Sequence, residues 1–335
     1  MARELDCKLK DGTTVMNSVM VPLRDKSIEL KVVDVGARNG MQEDVIPRSY
    51  SKESTIIGFE PNPDEYNKLV NQTTDAEKFG APMMRFKNEK YFNCALWRND
   101  EKRPFYITAG EGACTLMGEP DKKMCRNMWF EGSNKSYFDE HTNVLKTIEM
   151  DCKRLDSLLP ETAIIDILKI DIEGAELAVL EGSKKILDKN NILFIKSEFF
   201  TTPYFSEGPL LGHQHVYLHD CGFRLIDLDI GHSSYSREKT SYPSSADRRP
   251  LYAGDAYFML DPERNNLSPI KLHRMGIACL NFHFSSLGVS LLREAGLMSE
   301  KEIIAIEKTL ASNWTTRRVY NIWGRIPAKI KDLVR

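Results

Sequence analysis

Apolar residues in this chain gather in short, nearly unbroken runs separated by longer polar stretches. Val32, Val33 and Val35 surround Asp34, "STIIGFEP" fills 54–61, and "AIIDILKIDIEG" fills 163–174. Runs of this length, bounded by Gly, Pro and acidic residues, predict strands buried on both faces, as in parallel sheets. The same pattern assigns strands to "YFNCALW" (91–97), "PFYIT" (104–108), "NILFIKSEF" (191–199), "FRLIDLDI" (223–230) and "AYFML" (256–260). Helical spacing appears between them. "NPDEYNKLVNQT" opens with Pro63 and acidic residues and carries Tyr66, Leu69 and Val70 on one face. "AELAVLEGSKKIL" predicts a second helix, and "HQHVYLHDCGF" a third, closed by Gly222. A helix-length polar segment around Met41–Tyr50 is interrupted by Pro47, and residues 109–146 have no clear period and read as a long loop or lid.

Repeated strand–helix alternation predicts a doubly wound, mostly parallel α/β sheet. Three regions follow: an N-terminal segment (1–30), the sheet domain (31–260) and a helical C-terminal extension (261–335). Composition changes this little. The 335 residues are 41% hydrophobic and 28% charged, enough for one large domain with an extension or for two domains. A net charge of -2 and a pI near 6.4 supply no general field for nucleic acid. No apolar run approaches the roughly 18 residues of a membrane span. The start, "MARELDCKLKDG", lacks the apolar core of a secretory signal. Seven scattered cysteines, never spaced as CxxC, read as reduced thiols, so the expected location is the cytoplasm.

The candidate chemistry lies at the strand ends. In doubly wound sheets, ligands sit beyond the carboxyl ends of strands at the switch point. Asp34, Gly36, Ala37, Arg38, Asn39 and Gly40 fall there after the first strand, and Glu60 ends the second. Glycines at 36 and 40 allow a sharp turn and close backbone approach to a ligand. A carboxylate at Glu60 can accept hydrogen bonds from both hydroxyls of a ribose. "GARNG" lacks the middle glycine of the NAD fingerprint, and Asp34 would repel a diphosphate but suit a cationic sulfonium or amino group. These features favour S-adenosylmethionine (SAM) over NAD. An NAD-linked oxidoreductase and a non-catalytic scaffold stay open as alternatives.

"VVDVGARNG", "IIGFEPNP", "NCALW", "RLDSLL", "LKIDIEGAELAVLEG" and "SEFF" together resemble the FkbM family of SAM-dependent methyltransferases, in order and in spacing, over residues 31–260. The resemblance implies a class I methyltransferase fold, SAM as methyl donor and a hydroxyl acceptor on a sugar, glycan or secondary metabolite. It adds Asn62 and Ala95 to the expected cofactor contacts, with Asp171 at the sulfonium end.

Asp171 and Glu198 end neighbouring strands and are the leading catalytic candidates, with His213 as a possible base. Glu176 reads as a helix-start acid. A carboxylate pair could hold Mg²⁺, but no third oxygen ligand is evident, and the metal-free reading is favoured. His215 and His219 share a helical face without a third zinc ligand. Trp129, Phe130, Tyr204, Phe205, Tyr235 and Tyr252 are candidate acceptor contacts or core residues, and Arg237, Arg248 and Arg249 could hold an anionic group. The segment "RVYNIWGRIPAKIKDLVR" (318–335) is amphipathic and basic. It suits packing on the protein or on a second copy of the chain, ahead of peripheral contact with an anionic membrane.

Overall fold

The computed structural model describes residues 28–79, 82–126, 128–129, 136, 138–202, 205, 208–230, 234–235 and 251–311. Phe130, Tyr204, Arg237, Arg248, Arg249 and the segment 318–335 lie outside them. The strands are β1 (Lys31–Val35), β2 (Thr55–Phe59), β3 (Asn88–Phe92), β4 (Ala95–Leu96), β5 (Glu101–Thr108), β6 (Met128–Trp129), β7 (Val144–Lys153), β8 (Ile165–Ile170), β9 (Ile192–Phe200), β10 (Phe223–Ile230), β11 (Ser234–Tyr235) and β12 (Ala253–Leu260). The helices used below are α1 (Pro63–Asn71), α2 (Glu176–Gly182), α3 (Leu211–Asp220), α4 (Pro269–Asn281) and α5 (Ser285–Ala295).

Seven strands form one sheet in the order β10-β12-β9-β8-β1-β2-β3. β1, β2, β3, β8 and β9 run parallel, and β12 is antiparallel to both of its neighbours. This is a mostly parallel α/β sheet, as expected. Every residue of β8 is buried, and so are four of the five in β1, which explains their unbroken apolar runs. The polar members are paired: Lys31 N–H donates to Asp166 Oδ2 at 2.6 Å.

Local chemistry sets the helices. Asn62 caps α1, its Oδ1 accepting from Asp64 N–H at 3.0 Å, with Pro63 in the first turn. The run after β8 breaks at Ser183, whose hydroxyl donates back to the Val179 carbonyl at 2.7 Å.

Three sequence-based assignments change. "YFNCALW" is two strands, because Asn93 Nδ2 donates to the carbonyls of Glu60 (2.9 Å) and Pro61 (3.1 Å) and turns the chain after β3. β4 then joins a separate three-stranded sheet, β4-β7-β5, which also takes "PFYIT". Of the segment around Met41–Tyr50, only Arg48–Ser51 is helical and starts after Pro47, whose ring disfavours helix before it.

The chain separates into two compact units. One comprises Leu30–Gln42 and Ser54–Asn266 and contains the seven-stranded sheet. The described parts of the other are 28–29, Glu43–Glu53 and 267–311, including α4, α5 and a helical stretch at 300–311. No helix among the described residues is long and apolar enough to cross a membrane.

α2 sits close to the strand ends because its last residue has no side chain: a Cβ on Gly182 would lie 2.1 Å from the Trp97 carbonyl oxygen. Gly182→Ala should therefore lower stability by about 1–3 kcal/mol through overpacking. Gly212, in α3, has nothing within 4 Å of its Cβ position. Gly212→Ala should stabilise the helix by about 0.5–1 kcal/mol. Chemical denaturation of the two variants checks the contrast, and equal midpoints would contradict it.

Candidate functional site

From β1 the chain winds outward through β2 and β3, then returns to place β8 on the other side of β1. The loops leaving β1 and β8 therefore diverge and open a crevice at their carboxyl ends. The residues singled out in the first turn line this point. Gly36 has φ +86°, and its N–H and that of Ala37 both donate to the Phe59 carbonyl at 3.0 Å. The Gly40 N–H closes the turn on the Ala37 carbonyl at 2.9 Å. Asn39 takes a left-handed φ of 63°, and its Oδ1 accepts from Asp75 N–H at 3.2 Å. Asp171 N–H donates to the Val35 carbonyl at 3.0 Å, lacing the two lips together. A Cβ on Gly36 would sit 2.1 Å from the Asp171 carbonyl oxygen, so only glycine fits there.

Asp34 does not face the crevice with a free charge. It is fully buried, and Lys169, its register partner on β8, approaches its Oδ1 at 3.2 Å. The same ammonium lies 3.3 Å from Asp171 Oδ2 and 3.5 Å from the Gly36 carbonyl. Burial acts to lower the pKa of Lys169, but Asp34 and Asp171 outweigh it and hold the ammonium above its usual range. The expectation that Asp34 meets a cationic ligand thus encounters a lysine already in that place.

Glu60 ends β2 almost wholly buried, with Oε1 accepting from Asn62 N–H at 2.8 Å. Burial pushes its carboxyl up to about 7, against the pull of that bond and of Arg38. Arg38 reaches out of the turn to Glu65 on α1 (3.1 Å) and to Glu111 (2.5 Å), in the stretch read as a loop or lid. Ala95 is buried in an apolar cluster with Trp97, Phe105, Leu116 and Met150.

The acids beyond β8 and β9 separate into different environments. Asp171 is 42% exposed, the most accessible group of the Asp34–Lys169–Asp171 set. Against the upward push of burial, Lys169 and Lys196 hold its carboxyl below the usual range. Glu176 heads α2, fully buried, and its Oε1 accepts from Gly174 N–H (3.0 Å) and Ile172 N–H (3.3 Å). That holds the turn after β8, and burial pushes its carboxyl up to about 7. The Oε2 of Glu198 is buried without a hydrogen-bond partner among the described residues. Burial, then the charges of Glu173, Asp171 and Glu176, push its carboxyl well above the carboxylate range. Gln214 on α3 fixes the strand end beneath it, donating to the Glu198 carbonyl and accepting from Ser197 Oγ, both at 2.9 Å.

His213 is exposed at the start of α3, where its Nδ1 accepts from Leu210 N–H at 2.9 Å and closes the first turn. His215 and His219 are exposed on the same helix, and no group of three metal-capable side chains occurs among the described residues. Phe205 and Tyr252 pack with Cys125, Phe138 and Phe200. Sequence reasoning assigned no role to Lys169, Lys196 or Glu111. The first two carried a signal: a lysine inside an apolar strand needs a buried partner.

The chain matches the family model "Methyltransferase FkbM domain" over residues 34–225, more than half its length. Methyltransferase sdnD of Sordaria araneosa is 28% identical over 162 residues, spanning 45% of this chain and 59% of that protein. Methyltransferase 1 of Beauveria bassiana (strain ARSEF 2860) is 25% identical over 173 residues, spanning 49% of this chain and 61% of that protein. The aligned regions thus span about three fifths of those relatives. The crystal structure of magnesium protoporphyrin IX methyltransferase from Synechocystis PCC 6803 with bound SAM aligns with a TM-score of 0.30 and 10% identity, over 74% of this chain and 78% of that one, a likeness too slight to argue from. The family match covers the glycine turn, Glu60, Asp171 and Glu198 together, and the chain belongs to the FkbM methyltransferase family.

Proposed function

We propose that this chain is a SAM-dependent O-methyltransferase whose acceptor is a hydroxyl of a sugar, glycan or secondary metabolite. The observation that carries the reading is the Gly36–Gly40 turn after β1, beside the β1/β8 switch point, with the buried Glu60 carboxyl at the end of the adjoining β2. The residues present fit SAM. The glycine turn packs closely on Asp171 and Met83 at the strand ends, and Glu60 keeps a carboxyl group poised for two ribose hydroxyls. Asn62 shapes the loop beneath Glu60, Arg38 and Asn39 brace the turn, and Ala95 belongs to the neighbouring apolar cluster. Asp171, exposed and ionised, offers the negative charge that a sulfonium or methionine amine needs. Asp34 acts from below, through Lys169.

Bound SAM would supply an electrophilic methyl group. This chain must then orient the acceptor oxygen and accept its proton. Glu198 is the better base of the two candidates, because its raised pKa makes it more basic than the lysine-paired Asp171. With SAM bound, Glu198 would accept the proton of the acceptor hydroxyl. His213 is left out, its Nδ1 being engaged in the start of α3.

Glu60→Gln should weaken SAM binding by about 1.5–3 kcal/mol in isothermal titration, the range for hydrogen bonds to a charged group. The same change should stabilise the ligand-free protein at pH 8. Between the ordinary glutamate value of 4.5 and about 7, the folded state binds more protons at Glu60 than the unfolded state. Stability therefore falls as pH rises through that window, by roughly 3 kcal/mol in all, and the amide avoids this loss. Thermal melts at pH 5 and pH 8 should show a gain for the variant only at the higher pH. A variant that binds SAM as the wild type does would remove Glu60 from the site.

Glu198→Gln should abolish turnover while leaving SAM affinity within about twofold, since the amide keeps shape but cannot take a proton. The wild-type rate should climb with pH as Glu198 ionises, over a range above that of an ordinary carboxylate. A Glu198→Gln enzyme with wild-type kcat would assign the proton to another group.

A further inference from the structure

Resting on the function proposed above, we infer that Lys169 is a positioning residue for methyl transfer, one ammonium that holds both lips of the cofactor crevice and keeps Asp171 in its ionised, outward-facing place. An ammonium has three donors. Here the acceptors around it are Asp34 Oδ1 at 3.2 Å, Asp171 Oδ2 at 3.3 Å and the Gly36 carbonyl at 3.5 Å. Two of them belong to the β1 side of the crevice and one to the β8 side. Lys169 itself is 4% exposed, so no surface role accounts for its charge.

A lysine needed only to neutralise Asp34 would require one contact. The arrangement adds a second carboxylate and a turn carbonyl, both at the point where Gly36 and Asp171 are packed too closely for a Cβ. Charged groups face Asp171 from every side: Asp34 from β1, Lys169 from its own strand, Lys196 and Glu198 from β9, and Glu176 from the start of α2. Lys196, which also pulls the Asp171 carboxyl down, lies 3.2 Å from Asp255 Oδ2. Lys169 is therefore the cation in direct contact with Asp171, and the one that ties it to the β1 side of the crevice.

Lys169→Met alone would strand Asp34, so the informative protein is Asp34→Asn with Lys169→Met, compared with Asp34→Asn, which keeps the Lys169–Asp171 contact. Carboxyl ¹³C NMR of the ligand-free full chain, with the Asp171 signal identified by its loss in Asp171→Asn, reads the titration midpoint directly. The control should titrate as the wild type does, and the double variant should shift upward by about one pH unit or more. Its kcat/KM at pH 7 should fall roughly tenfold below the control and recover as pH rises. Lys169→Arg, which keeps the charge, should restore the low midpoint and also covers the case of a double variant that folds poorly. An unmoved Asp171 midpoint in the double variant, or in Lys169→Arg a midpoint raised as though the charge were gone, overturns the inference. So does control-like activity in the double variant. Absence of SAM binding by the wild type would instead sink the proposed function, while the NMR comparison would still decide the role of Lys169.

Discussion

A charge cannot enter a sheet interior unless another charge meets it, and this requirement organises the centre of the molecule. Asp34 and Lys169 are register partners on adjacent parallel strands, both buried. Removing either partner from such a pair typically costs about 3–5 kcal/mol, whereas two apolar residues in their place would often cost nothing. The pair is therefore poor value as stabilisation alone. Its location explains its presence, because Lys169 also reaches the Gly36 carbonyl and Asp171, the two groups that border the crevice.

The same row of the sheet continues the theme. Lys169 is in register with Lys196 on β9, and Lys196 pairs with Asp255 on β12. Cations and anions thus run across four strands just below the strand ends. Asp171, beside Lys169, keeps its carboxyl below the usual range, whereas at Asp34 burial outweighs the same lysine and raises it. Glu198 is driven toward its neutral form by burial and by the acids around it. Two carboxyl groups with the same chemistry and adjacent places thereby acquire opposite tendencies, a pattern suited to separate electrostatic and proton-transfer roles.

Glu60 shows the stability–function conflict in a single residue. Its carboxyl is buried with one backbone N–H on one oxygen, and the cost of ionising it there is expressed in its raised pKa. Under the function proposed above, hydroxyl donors of the cofactor would offset this cost. The Arg38 contacts to Glu65 and Glu111 keep the adjoining turn in shape without neutralising Glu60 outright.

Much of this was legible along the chain. The nearly unbroken apolar runs of β1, β2 and β8 identify buried parallel strands, because strands covered on both faces take apolar residues at most positions. Asn62 and Pro63 mark the start of α1 by local chemistry, and Gly36, Glu60, Asp171 and Glu198 stand at strand ends where a doubly wound sheet places ligands. Other features depended on partners distant in sequence. β12 comes last yet inserts between β9 and β10, and "NCALW" leaves the main sheet because Asn93 bonds to carbonyls more than thirty residues earlier. Asp34 became a lysine's partner through a cross-strand contact that no spacing encodes, whereas His213 caps its own helix through Leu210, three residues back. Periodicity reports which face of an element is buried. What meets that face, and hence which carboxyl keeps its charge, is decided only when strands 135 residues apart lie side by side.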